Sequence, residues 1–286
     1  MARIAYVNGR YTPLSKAKVG VQDRGYQFSD GVYEVCEVRG GHLIDLAPHM
    51  ERLARSLSEL RIDWPVSRGV MPMLMREVVR RNSVADGLVY VQVTRGEAPR
   101  DHVFPAPGTR PALVITAKPT SLEAGEAKRD RGMSVITVPE NRWERVDIKS
   151  VGLLPNVMAR QKAKEAGAGE AWFVGADSTV HEGAATNAWI VKDGVIRTRH
   201  AEHGILRGIT RATVMRVAEQ LQMRVVEEGF TVQEAQGADE AFVTAASTVV
   251  MPVTAIDGVP VNGGTPGPVV RRLREAFHDV AERTAA

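Results

Sequence analysis

Only eight of the 37 basic residues are lysines, at positions 16, 18, 118, 128, 149, 162, 164 and 192; the other 29 are arginines. If an amine does chemistry in this chain, few positions can supply it. Seven of the eight lie in polar or turn-rich surroundings. Lys149 alone sits in an apolar frame, after Val146-Asp147-Ile148 and before Ser150-Val151-Gly152-Leu153-Leu154. Partial burial there would favour a neutral, nucleophilic amine by desolvating its cation. A second reading stays open at this level: a strand-end lysine whose stem is covered and whose head reaches solvent. Other chemistry is sparse. Cys36 is the single cysteine, which excludes an internal disulfide and any multi-cysteine metal centre and fits a reducing cytosol. His200 and His203 are flanked by polar residues and read as a surface loop, so no metal is expected. There is no Walker motif, no strand-following Gly-x-Gly-x-x-Gly, no His-Glu-x-x-His and no Gly-x-Ser-x-Gly.

The elements that would carry these residues read as α+β. Ile4–Val7, 31–39, 43–44, 88–95 and 112–117 read as strands, and apolar spacing predicts helices over 46–61 and 67–82. Further on, strands are expected near 133–138, 171–174, 186–191, 224–227 and 241–245, with helices near 154–166, 210–222 and 266–282. Gly208 reads as a helix start, with a hydroxyl behind it able to cap. Residues 118–126 lack apolar periodicity and contain Pro and Gly. They read as a linker between a small N-terminal domain, 1–117, and a larger C-terminal one, 127–286.

The chain has 286 residues, 44% hydrophobic and 25% charged, as ordinary globular proteins do. No apolar run reaches the ~18–20 residues of a membrane helix, and the Asn8-Gly9 turn interrupts any secretory apolar region. A cytoplasmic protein without a membrane partner is expected. The net charge of +3 is spread thinly, with no basic stripe interleaved with aromatics, so a nucleic-acid partner is not expected either.

Eight segments, in order along nearly the whole chain, together resemble the fold-type IV pyridoxal-phosphate enzymes, most closely the D-amino-acid aminotransferases. They are Asp23–Phe28, Asp30–Val35, His49–Leu53, Gln92–Gly96, Pro99–His102, Asp147–Ser150, Glu182-Gly183 with Thr186-Asn187, and Leu206–Arg211. The resemblance implies a small N-terminal α/β domain and a larger C-terminal α/β domain with pyridoxal 5'-phosphate between them. It implies that Lys149 bonds to the cofactor's aldehyde and carries the proton, and that Glu182 partners the pyridine nitrogen. Arg52, Ile209 and Thr210 would hold the phosphate, and Leu206 and Gly208 would also bind the cofactor; free N–H groups at a helix start independently suit an anion. Ala246 stands where the family usually has a threonine, so the backbone donor survives, with Ser247 next to it. One such lost hydrogen bond is worth roughly 1.5–3 kcal/mol. Tyr33, Arg100 and His102 match the family's substrate-carboxylate trap, and the latter two would reach the site of a neighbouring subunit, making a homodimer a catalytic requirement. The implied reaction is ping-pong transamination of D-amino acids such as D-alanine and D-glutamate with 2-oxo acids. Within the same fold, a branched-chain L-aminotransferase, an R-amine transaminase or an aminodeoxychorismate lyase is the alternative; Pro99-Arg100-Asp101-His102 favours the D-amino-acid group.

Overall fold

The structure, a computed structural model, describes residues 3–285. The chain forms two compact units. The first takes the described residues up to Ser121 together with Ile148–Gly152 and the stretch from Glu282; the second takes Leu122–Asp147 and Leu153–Ala281.

The first unit is built on a seven-stranded antiparallel sheet. Its order is Arg283–Ala285, His42–Ile44, Gly31–Arg39, Gly87–Thr94, Ala112–Pro119, Ile4–Val7, Arg10–Pro13. Alternation is clean in Gly31–Arg39, where Val32, Glu34, Cys36 and Val38 are buried and the residues between them are not. The same period puts Val89, Val91 and Val93 into the core. Helix Leu46–Glu59 buries Met50, Leu53 and Leu57, and helix Val70–Arg81 buries Met71, Met75, Val78 and Val79. These three- and four-residue spacings are what a helix lying on a sheet requires. Ile148, 4% exposed, is a member of this core although it lies far along the chain. Asp45 Oδ1 accepts from the Glu282 amide at 2.9 Å, and the Asp45 amide donates to the Glu282 carbonyl at 2.9 Å, which fastens the edge strand Arg283–Ala285.

The second unit holds a mixed nine-stranded sheet. Its path runs Arg224–Val226, Val195–Thr198, Asn187–Lys192, Glu240–Ala245, Val249–Ile256, Met133–Pro139, Glu170–Val174, Val180–Gly183, and Val259–Pro260 adds to Val249–Ile256. Central strands Asn187–Lys192 and Glu240–Ala245 are buried almost continuously, as expected of strands covered on both faces. Trp189 stacks on Phe242 with centroids 5.3 Å apart. Helices Leu154–Glu165, Ile209–Gln220 and Pro268–Val280 accompany the sheet. Glu240 caps the last of these, accepting from the Val269 and Val270 amides at 2.9 and 2.8 Å.

The region expected to be a linker is regular. Lys118 and Pro119 end a strand, and Leu122–Arg131 is a helix. Only Arg129 of that helix is buried, so no apolar stripe marks it in the sequence. Among the described residues no helix is long and apolar enough to cross a membrane.

Candidate active site

In the first unit the segment Ile148–Gly152 lies antiparallel to the start of strand Gly31–Arg39. The Tyr33 amide donates to the Lys149 carbonyl at 3.0 Å, and the Val151 amide donates to the Gly31 carbonyl at 3.0 Å. With Ile148 in the core, this pairing fixes Lys149 beside Tyr33; its Nζ lies 4.2 Å from the centre of the Tyr33 ring. Lys149 is half-buried, whereas the other seven lysines are all exposed. Tyr33 in turn stacks on Tyr90, centroids 5.5 Å apart. Burial, then the nearby Tyr33, pushes the Tyr90 hydroxyl up to about 12.

One residue further along the same strand, on the opposite face, stands Glu34. Its carboxylate is fully buried and accepts from Arg52 Nε at 2.7 Å, Arg52 Nη2 at 2.8 Å and His49 Nδ1 at 2.8 Å. His49 and Arg52 are three apart on helix Leu46–Glu59 and so share a face. Burial would raise the Glu34 carboxyl; Arg52 and then His49 outweigh it and hold the group well below the usual carboxylate range. One edge of the Arg52 guanidinium is therefore committed to a bidentate pair.

Arg100 and His102 are exposed, on irregular chain between strands. They gather on one ring: the Arg100 guanidinium lies 4.6 Å and the His102 ring 5.4 Å from the centre of Phe28. Tyr33 packs elsewhere, on Tyr90.

In the second unit, Glu182 stands near the end of strand Val180–Gly183 and is 4% exposed. Three donors meet its carboxylate: Arg142 Nη1 at 2.6 Å, Asn187 Nδ2 at 3.0 Å and the Leu206 amide at 3.1 Å. Arg142 also grips Glu140, which takes a further contact from His181 Nδ1 at 3.1 Å. Burial would raise Glu140; hydrogen bonds from Arg142 and His181 pull it down to about 2. Asn187 is a hub, since its Nδ2 also donates to the Leu206 carbonyl at 3.0 Å. Gly208 follows closely: a Cβ there would lie 2.0 Å from Asn187 Oδ1, so a larger residue would have to displace that amide.

Gly208 is the N-cap of helix Ile209–Gln220, and no side chain caps that end. The expected hydroxyl cap is not made; Thr210 stands inside the first turn. Asn187 pairs in register with Thr244, so the turn after strand Glu240–Ala245 issues from the same end of the sheet. That turn holds Ala246 and an exposed Ser247 and closes by Thr248 N–H to Ala245 O at 3.1 Å. The Thr248 hydroxyl is buried without a partner, and Val249 has φ +56°, a strained value for a β-branched residue. An uncapped helix start, a glycine closely approached by Asn187 and an orphaned buried hydroxyl are what a phosphate cradle would use. The donor set fits the group.

Sequence reasoning did not single out Glu34, His49, Arg142 or Asn187 as site residues. Arg142 carried no signal, because an arginine between Asn141 and Trp143 looks like any loop cation. Among the described residues no group of three or more His, Cys, Asp or Glu could hold a metal ion.

Comparison with known proteins gives this geometry its relatives. The class IV amino-transferase family matches residues 31–256. A D-alanine aminotransferase of Staphylococcus aureus (strain MSSA476) is 40% identical over 277 residues, 97% of each chain. One of Bacillus licheniformis is 40% identical over 272 residues, 95% of each. Among solved structures, the Escherichia coli branched-chain amino acid aminotransferase superposes with a TM-score of 0.91 at 25% identity, covering 98% of this chain and 95% of that one. The branched-chain aminotransferase of the archaeon Thermoproteus uzoniensis, solved with norvaline, gives 0.88 at 26%, covering 99% of each chain. With a family match across most of its length and relatives at this identity, the chain belongs to the class IV aminotransferases.

Proposed function

We propose that this aminotransferase uses pyridoxal 5'-phosphate to move the amino group of D-amino acids, of the D-alanine and D-glutamate type, to 2-oxo acids by a ping-pong mechanism. The observation that carries the reading is Lys149: the only lysine withdrawn from solvent, seated against Tyr33 by a backbone pairing. The cofactor, when bound, supplies an aldehyde and an electron-withdrawing ring that acidifies the Cα–H of a substrate attached to it.

The chain's own residues do the rest. Lys149 Nζ would hold the cofactor's aldehyde and, when freed by the substrate amine, would serve as the base that takes the substrate's Cα proton and the acid that returns it. Glu182 would accept from the ring N–H, its carboxylate oriented by Arg142, Asn187 and the Leu206 amide. The phosphate would be held by Arg52, by the amides of Gly208, Ile209 and Thr210, and by the turn at Ala246 and Ser247. Tyr33, Arg100 and His102 grip the substrate carboxylate. Arg100 and His102 serve a second copy of the chain, so the working form is a homodimer; their exposure in the single chain supports this. The buried, unpaired Cys36 supports a cytoplasmic location.

The likeness to branched-chain enzymes favours one second reading, an L-amino-acid transaminase of the same fold. Supplying D-alanine and L-alanine separately with 2-oxoglutarate and measuring pyruvate separates the two. Purified protein is expected to show visible cofactor absorbance, and Lys149→Ala to lose that band and to turn over at least a hundredfold more slowly, the least that a missing proton carrier should cost. Full activity in Lys149→Ala would overturn the assignment.

A further inference from the structure

Arg100 and His102 lie on irregular, exposed chain, yet a grip for a planar carboxylate must be held in place before substrate arrives. The residue between them is tied down. Arg24, 3% exposed, donates from Nη1 to the Asp101 carbonyl at 2.6 Å and from Nε to Asp30 Oδ2 at 2.8 Å. Asp30 is shared with Arg95, which donates from Nε at 2.7 Å and from Nη2 at 2.9 Å. Arg95 is itself fastened to the Leu60 and Arg61 carbonyls, at 2.8 and 2.9 Å, and its guanidinium lies 3.8 Å from the centre of the Phe104 ring. Both ends of the segment 101–104 are thus pinned, through two arginines, by one largely buried carboxylate. The Arg24 guanidinium also lies 4.8 Å from the centre of Phe28, the ring on which Arg100 and His102 gather. The helix carrying Arg24 and Phe28 is set by Asp23, which accepts from Gly25 N at 2.8 Å and from the Thr94 hydroxyl at 2.8 Å. Backbone bonds from Arg24 N to Gly96 O and from Ala98 N to Gln22 O run the two segments side by side.

We propose that Arg24, anchored on Asp30, is the positioning residue of the substrate-carboxylate grip, fixing the Asp101 carbonyl so that Arg100 and His102 stand ready on either side of it. This rests on the reading that Arg100 and His102 hold the substrate carboxylate. The task needs a rigid fork, with two donors of one planar group aimed at two acceptors. Lysine keeps the charge but offers a single point of donation, so it cannot serve both.

The test compares holoenzyme carrying Arg24→Lys, Asp30→Asn or Arg100→Ala with the unaltered chain. Steady-state kcat and KM for D-alanine, the visible absorbance and the melting temperature are measured for each. Arg24→Lys and Asp30→Asn are expected to raise KM roughly tenfold, the equivalent of one well-placed hydrogen bond. Their kcat should stay within about twofold, as expected when only substrate binding is lost, and the absorbance should be unchanged. An Arg24→Lys enzyme with unaltered KM, while Arg100→Ala raises it, overturns the inference and leaves the grip standing. Arg100→Ala with unaltered KM overturns the grip, and the inference with it. Parallel losses of melting temperature, absorbance and kcat in both Arg24→Lys and Asp30→Asn would show a merely structural role and also overturn it.

Discussion

Glu34 shows how much of this site is decided by residues with no chemical part of their own. Its carboxylate is fully enclosed and balances Arg52 while aligning His49. Removing one member of a buried ion pair leaves the other charge uncompensated, at about 3–5 kcal/mol. Glu34→Gln is therefore expected to lower the urea-unfolding free energy of cofactor-free protein by about that much. A loss below about 1 kcal/mol would mean that Arg52 is held without it. The sequence segment containing Glu34 is legible as a strand, but strand alternation assigns that position to the interior, where an acid is unexpected. Only its partners on the next helix explain it, and periodicity does not reveal cross-element pairs. Arg142 is the same case: the motif singles out Glu182, whereas nothing in the sequence points to the cation bonded to it.

At the level of elements, the helix start at Gly208 is tightly constrained. A methyl group there would strike Asn187 Oδ1, and Asn187 holds both Glu182 and the Leu206 carbonyl. Gly208→Ala should displace that amide and the helix end together. The apparent affinity for pyridoxal phosphate, followed by its absorbance, is expected to fall roughly tenfold or more, the worth of one hydrogen bond to a charged group, with little change in melting temperature of the cofactor-free protein. Unchanged affinity would remove this helix start from the phosphate site. Elements with strong periodicity were legible to within a few residues: helix Leu46–Glu59 was expected over 46–61, and strand Gly31–Arg39 over those same residues. Those that were missed have physical reasons. Val249–Ile256 contains Pro252, which argues against a central strand, yet it pairs on both sides with a register irregularity between Val253 and Ala255. Leu122–Arg131 lacks an apolar face, so nothing separates it from a linker by composition.

At the scale of the whole molecule, acid carries a defined cost in both units. Asp30 and Glu34 in the first unit and Glu140 in the second are each shielded from water, which would raise them, and each is pulled down further by arginine. A carboxyl whose folded pKa lies below its unfolded value adds stability that is complete above the unfolded value, near ~4, and drains away as pH falls through the folded one. The sign is therefore loss on acidification, between about pH 4.5 and about pH 2. Urea midpoints measured from about pH 7 to about pH 3 should be flat down to about pH 5 and then fall; a midpoint that rises on acidification would contradict these pairings.

The first unit's sheet is completed by Arg283–Ala285 and its core by Ile148. On a ribosome, which emits the chain from its N-terminal end, residues up to Ser121 emerge shortly before Ile148 and long before Arg283–Ala285. That half waits first for Ile148 to fill its core and then, until the second unit's strands have all been made, for Arg283–Ala285 to close its sheet edge. The order of synthesis and the order of structural completion are opposed. The later-made half can finish its own sheet while the earlier one still lacks its last strand.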